Sequence, residues 1–409
     1  MSAHKLRIGD LFNTAVIVAA LGYFVDIYDL ILFSIVRVPS LRDLGLTPQQ
    51  ITDQGLILLN IQMLGMLLGG ILWGVLGDKK GRIQLLFGSI LLYSLANIAN
   101  GFVNSIELYA LFRFIAGVGL AGELGGGITL VSEIMPKETR GYGTMIIATV
   151  GVAGAVLAYN IVEHFDWRNA YFIGGGLGLA LLVLRVSVFE SGMFNAVKEK
   201  NVARGDFFSL FTHKERFFRY MKCVFIGLPT WYCIGILITL SPEFAKYLHI
   251  DGTVSAGRMV MFFYLGLIPG DFLSGVLSQI FKSRRKILAG FLLVNCIAII
   301  TYFLSSGITA ESMYHVSFFL GLSAGYWAIF VTNAAEQFGT NMRATVATTV
   351  PNMARGATIP ISLAFTFATS QFGVLAGGAV VGAVCIIIAG YALYHLDETF
   401  GKDLDFVEE

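Results

Sequence analysis

Gly74-Val75-Leu76-Gly77-Asp78-Lys79-Lys80-Gly81-Arg82 closes one long apolar run. Gly275-Val276-Leu277-Ser278-Gln279, followed by Lys282-Ser283-Arg284-Arg285, closes another 201 residues later. Both stretches begin on a glycine, continue through an apolar pair and finish on basic residues, so the chain repeats itself. A second pair carries nearly the same period. Glu133 precedes Arg140 by seven residues and Glu336 precedes Arg343 by seven, at an offset of 203. Two self-similar halves are what a carrier needs if it moves two bundles about one central site.

The solvent around these stretches is lipid. Hydrophobic residues make up 56% of 409 positions, charged residues 13%, and the mean hydropathy is +0.73, too apolar for a water-soluble domain. A hydrocarbon core about 30 Å thick needs roughly 20 apolar residues per helix. Such runs fall at 12–36, 55–77, 83–103, 108–134, 143–164 and 168–188, then at 219–242, 256–281, 286–306, 313–337, 345–370 and 374–396. The first is too long for a signal-peptide core and no small-residue cleavage site follows it. Residues 189–218, with Lys198, Lys200, Arg204, Lys214 and Arg216, read as a linker. The expected layout is a six-helix bundle over 1–188, a cytoplasmic linker over 189–218, a second six-helix bundle over 219–396 and a tail over 397–409. Most Lys and Arg lie on the side of the termini, and only Arg37, Arg42, Arg168, Lys246 and Arg258 on the other. That asymmetry puts both termini in the cytoplasm, in a bacterial inner membrane. The expected fold is thus an all-α membrane protein of twelve transmembrane helices in two pseudo-symmetric bundles, working as a monomer.

Several function classes drop out. A net charge of +1 supplies no basic field for nucleic acid. Cys223, Cys233, Cys296 and Cys385 lie in apolar stretches without a CxxC pair, so neither a disulfide framework nor a metal site is expected. No Ser-His-Asp set, metal-ligand cluster or nucleotide loop is present, so an enzyme, catalytic residues and a cofactor are not expected either. A static sensor or structural subunit would have little use for repeated intramembrane charges.

Gly74 through Arg82 resembles the cytoplasmic loop motif of the major facilitator superfamily. Arg113, Gly117 and Gly119 resemble its RxxxGxG element, and Gly151 with Gly154 its glycine-rich fifth helix. Within the superfamily, Gly22-Tyr23-Phe24-Val25-Asp26-Ile27-Tyr28-Asp29-Leu30 resembles the DxYD segment of phosphate:proton symporters and the DGxD segment of aromatic acid:proton symporters. Glu123, in Gly122-Glu123-Leu124-Gly125-Gly126, is similar to the acidic position of the metabolite:proton and phosphate:proton families. Glu190, Ser191 and Phe194, and Glu398, Thr399 and Gly401, are weak forms of ESPxF and PETxG. The resemblance implies alternating access and proton coupling. It departs at Gly235, where phosphate symporters carry an aspartate, and at Arg355-Gly356-Ala357, where they carry a lysine. The QLS element of hexose porters is missing around Gly227-Leu228-Pro229-Thr230-Trp231.

A charge near the bilayer centre costs about 2.5 to 3.5 kcal/mol, so each must be paired, hydrated or functional. Six stand out: Asp26, Asp29, Arg113, Glu123, Asp271 and Arg355. Asp26 and Asp29, three apart on one helix, should share a face and point together into the cavity. Two carboxylates so close do not both ionise easily in a low dielectric, so one can hold the coupled proton, unless it merely pairs with Arg113. Glu123 is a third candidate for coupling. Arg355 offers a fork of donors suited to a carboxylate or phosphate, and is the expected substrate anchor, or else a cross-half partner of Asp29 or Glu123. Trp231, Tyr28 and Asn352 are the other expected substrate contacts. Gly74, Asp78, Arg82, Arg113, Glu133, Arg140, Asp271, Arg284, Glu336 and Arg343 are expected to gate, with Asp271 either pairing near Arg284 or touching cargo. The expectation is proton symport of a small organic anion. The alternatives are a proton antiporter exporting drugs or metabolites, or a symporter of a sugar-like solute or phosphate. Sodium stays open as coupling ion, although no pair of interrupted helices demands it.

Overall fold

The structure is a computed structural model that describes residues 14–80, 82–127, 140–190, 207 and 209–401. The first half contains α1 (Thr14–Asp43), α2 (Pro48–Lys80), α3 (Arg82–Asn100), α4 (Ile106–Leu120), α5 (Arg140–Val152), α6 (Gly154–His164) and α7 (Trp167–Glu190). The second contains α8 (Ser209–Thr212), α9 (Lys214–Ile226), α10 (Leu228–Tyr232) running into a π-helix (Cys233–Ile238), α11 (Ser241–Tyr247), α12 (Ala256–Ile280) and α13 (Arg284–Leu304). It ends with α14 (Ala310–Ala324), α15 (Trp327–Glu336), α16 (Thr340–Gly356), α17 (Thr358–Phe372) and α18 (Val374–Tyr394).

These elements combine into the twelve-helix, two-bundle architecture. Among the described residues nine helices are long and apolar enough to cross a membrane, or ten if α9 and the α10–π segment, bent by 43°, count as one span. The remaining two places are filled by α3 and by α16 with α17. The latter pair, expected as the run 345–370, is the more polar of the two, since Thr345, Thr348, Thr349, Asn352, Arg355 and Thr358 are all buried in it. Outward-facing Leu304, Phe367, Phe372 and Ile387 are more than half exposed, as a lipid-facing surface requires.

Local chemistry sets the helix starts. Ser105, Ser255, Ser283 and Thr309 each cap a helix by accepting from the N–H three residues on. The second span begins seven residues before its apolar run, because Thr47 and Gln50 form a capping box and Pro48 sits where no N–H is needed.

The repeat is also one of packing. Gly65 faces the Phe114 carbonyl and Gly117 the Gln62 carbonyl where α2 crosses α4; Gly266 faces the Phe318 carbonyl and Gly321 the Phe263 carbonyl where α12 crosses α14. A Cβ at any of these would strike backbone, so glycine permits the close crossing in both halves. The breaks repeat too, contrary to the expectation of uninterrupted helices. The fourth span turns at Ala121–Gly122 and the tenth at Gly325–Tyr326, while the fifth breaks at Ala153 and the eleventh at Ala357; all are 204 residues apart. The halves meet where α1, α5 and α6 pack on α12 and where α2 packs on α16 and α17.

Candidate functional site

The centre of the molecule lies between α1 of the first half and the breaks of the second. Arg355, two residues before the Ala357 break, directs Nη2 at Asp26 Oδ2 across the boundary at 3.7 Å, and both side chains are buried. Its Nη1 donates to Asn352 Oδ1 at 3.3 Å, and its guanidinium lies 5.9 Å from the centroid of the Trp231 ring. Trp231 meets Trp327 edge-on at 6.1 Å, and Trp327 packs on Phe330 at 4.8 Å. Tyr23 and Tyr264 stand within electrostatic reach of Arg355, Asp26 and Asp271. Several buried polar atoms have no hydrogen-bond partner among the described residues: both Asp26 oxygens, Arg355 Nε, the two indole Nε1 atoms of Trp231 and Trp327, and Asp271 Oδ2. A bound molecule with an anionic end, a flat apolar body and further polar atoms would satisfy this set.

Asp26 and Asp29 do not point together. Asp29 turns into its own bundle, beside Arg113, Asn97 and Gly174. Arg113 donates to Asn97 and lies over Tyr171 at 4.8 Å, whose hydroxyl meets that of Tyr109 at 2.8 Å. Arg355 therefore faces Asp26, and neither Asp29 nor Glu123 is its partner. Tyr28, expected at the substrate, also faces inward: its hydroxyl donates to the Ala170 carbonyl at 2.8 Å. It lies two residues beyond Asp26, roughly 200° around the helix.

Glu123 is engaged elsewhere, by a residue the sequence analysis passed over. Arg185 of α7 grips it with two bonds of 2.8 and 3.1 Å, and Ser89 donates to it at 3.0 Å, all of them buried. Gly22 gives the signal, since a Cβ there would fall on Arg185 and Glu123.

Both ends of the central site are closed. At the end carrying the 44–47 turn, buried Arg37 pairs with Glu243 at 2.8 Å and donates to the Thr239 carbonyl at 2.9 Å. Thr52 donates to Glu243 at 3.0 Å, and Thr239 to Ser34 at 3.1 Å. At the opposite end Gly70, Gly74 and Gly125 sit against Asn352, Thr349 and Thr348, and Asn352 Nδ2 donates to the Ala121 carbonyl at 2.8 Å. Asn352 is thus a contact between halves as well as a ligand of Arg355.

Asp271 does not pair with Arg284. Its Oδ1 accepts from the Ala328 N–H at 3.2 Å, capping α15 beyond the Gly325–Tyr326 break. Arg284 instead approaches Glu336 at 3.4 Å, and Glu336 also accepts from Thr399 at 2.7 Å. Arg343 donates to the Phe338 carbonyl at 3.4 Å. Asp78 falls in the last turn of α2, while Arg82 and Arg140 open α3 and α5. The networks expected of those three concern side chains outside the described ones, and Glu133 lies outside the described residues.

Two pseudo-symmetric bundles closed about a buried charged site define a membrane carrier of the alternating-access kind. The model of the Major Facilitator Superfamily matches residues 19–362, and the chain belongs to that family. It is therefore a transporter and not an enzyme. It is 27% identical to the niacin transporter of Acinetobacter baylyi, over 83% of this chain and 83% of that one. It is 24% identical to the gentisate transporter of Corynebacterium glutamicum, over 94% and 88%. Its fold is similar to the solved structure of the proton:xylose symporter XylE, with a TM-score of 0.73, 16% identity and coverage of 97% and 98%.

Proposed function

We propose that this protein imports a small aromatic or heteroaromatic carboxylate together with protons. The observation that carries the reading is Arg355, held against Asp26 by an ion pair longer than a hydrogen bond, with the Trp231 ring beside its guanidinium and Trp327 packed on Trp231. A guanidinium presents two parallel donors to a carboxylate, and flat aromatic walls suit a flat ring. Relatives that carry niacin and gentisate, both ring carboxylates, support the same class.

Exchange at Arg355 supplies coupling. A proton on Asp26 cancels its hold on Arg355 and leaves the guanidinium open to the cargo carboxylate. The charges of Arg355 and the cargo carboxylate then cancel, which lowers the electrostatic cost of closing both ends over them. When the cargo leaves, Asp26 regains Arg355 and gives up its proton. Asp29 with Arg113 forms a second acid–arginine set inside the first half. Orienting Arg37 and Glu243 outward and the Asn352 contacts inward follows the distribution of Lys and Arg, with both termini and the linker in the cytoplasm of a bacterial inner membrane. A single chain provides the whole pathway.

The test is uptake of radiolabelled benzoate, nicotinate and dihydroxybenzoate into proteoliposomes with an imposed pH gradient, acid outside. Accumulation that collapses with a protonophore supports symport. Export driven by the reverse gradient, or preference for a cationic drug, would assign the antiporter alternative.

A further inference from the structure

Asp271 does more than its structural task requires. Capping α15 occupies Oδ1, and a neutral Ser, Thr or Asn would cap as well without burying a charge. Its other oxygen is buried with no partner among the described residues. The fold itself does not demand an acid there. Gly70 is the counterpart of Asp271 in the first half, 201 residues earlier, as Gly65 is of Gly266, so the fourth span makes its matching break without a carboxylate from the second span. Asp271 stands next to the residues around Arg355, because the Ala328 whose N–H it accepts directly follows Trp327 in the chain. Trp327, whose N–H group also approaches Asp271, carries one of the unpartnered indoles and packs on Trp231 beneath Arg355.

We propose that Asp271 is the specificity-determining residue of this site, using its free oxygen to bind a hydroxyl on the ring of a cargo whose carboxylate is held by Arg355. The proposal rests on the carboxylate reading above and narrows it to hydroxylated aromatic acids. A hydroxyl both donates and accepts, so it satisfies the buried oxygen, while an unsubstituted ring leaves that oxygen unpaired. A site built to hydrogen-bond a hydroxyl discriminates strongly against the analogue lacking it.

The experiment compares binding of benzoate, 3-hydroxybenzoate and 4-hydroxybenzoate by calorimetry to purified wild type, Asp271→Ala and Asp271→Asn. Wild type should bind at least one hydroxybenzoate about tenfold or more tighter than benzoate, and the ratio should fall toward one in Asp271→Ala. Asp271→Asn keeps an acceptor for the Ala328 N–H, so it serves if the alanine variant fails to fold; its amide offers the hydroxyl a weaker, neutral bond in place of the charged one, so its ratio should fall below that of wild type but less than in alanine. A wild-type ratio near one, a ratio unchanged in the variants, or a parallel loss of all three acids would overturn the assignment. If no aromatic acid binds wild type, the carboxylate reading itself fails and this proposal with it.

Discussion

Arg355 and Asp26 face each other at 3.7 Å across the boundary between the halves, both out of contact with solvent. A buried pair at that separation has lost hydration without gaining a full hydrogen bond, so a better-fitting anion can displace the aspartate. The pair belongs to both bundles at once, so under the proposed exchange its occupancy would follow cargo, proton and conformation together.

Replacing Asp26 by Asn should separate binding from coupling. The amide cannot carry the exchanged proton and no longer competes as an anion for Arg355. Counterflow of a bound acid should persist, while accumulation driven by a pH gradient falls by about tenfold or more. Equal loss of both activities would show that Asp26 only maintains structure.

Arg185 and Glu123 lock α7 to the fourth span, just past its Ala121–Gly122 break, inside the first half. Removing one partner strands the other charge, so Arg185→Ala should lower unfolding stability by about 3 to 5 kcal/mol, read as a fall in Tm of purified protein. Arg185→Met combined with Glu123→Leu should recover most of it. Gly22→Ala should weaken the same pair, because the added methyl occupies its space.

The two closures should respond with opposite sign. Glu243→Ala removes the acceptor of Arg37 and Thr52, whereas Asn352→Ala removes the bond to the Ala121 carbonyl. Each loss is worth about 1 to 3 kcal/mol, enough to change an equilibrium fivefold or more. Spin labels on exposed Gln49 and Lys246 should move apart in the first variant and sample shorter distances in the second. A shift of both in one direction would contradict the assignment of these contacts to opposite ends.

Glu398 provides a pH signature outside the membrane spans. Partial burial opposes its ionisation, but bonds from the Ser283 hydroxyl and the N–H groups of Phe400, Arg284 and Arg285 outweigh that and hold the carboxyl below its usual value near 4.5. A depressed folded value means that the stabilisation is present above about 4.5 and is lost as the pH falls through the lower folded value. The Tm difference between wild type and Glu398→Gln should therefore be largest near neutral pH and vanish in acid.

The spans were legible because lipid forces about 20 apolar residues into each helix and satisfies no stray backbone. The Gly74 and Gly275 stretches gave the two halves for a similar reason, since tight crossings leave small residues in register. The start at Pro48 was missed because Ile51 is the one large apolar residue in 47–54, although the Thr47 and Gln50 capping box stood in the sequence. Breaks at Ala121 and Gly325, and at Ala153 and Ala357, were hidden because small apolar residues continue the hydropathy through them; the 204-residue offset could have exposed them. Asp26 and Asp29 are close in sequence, but three residues leave about 60° between them, enough to send one to Arg355 and the other to Arg113. Arg185 carries no sequence signal of its own, and only its partner Glu123, 62 residues away, makes it an interior residue.

The most direct test of the central claim is thermal stabilisation of wild type and Arg355→Ala by a panel of ring carboxylates, with neutral sugars and cationic drugs alongside. A ligand that binds only the folded state raises its apparent stability by RT ln(1 + [L]/Kd). A ring carboxylate should raise the Tm of wild type and leave Arg355→Ala unmoved. Stabilisation by the same acid in both proteins would contradict the claim.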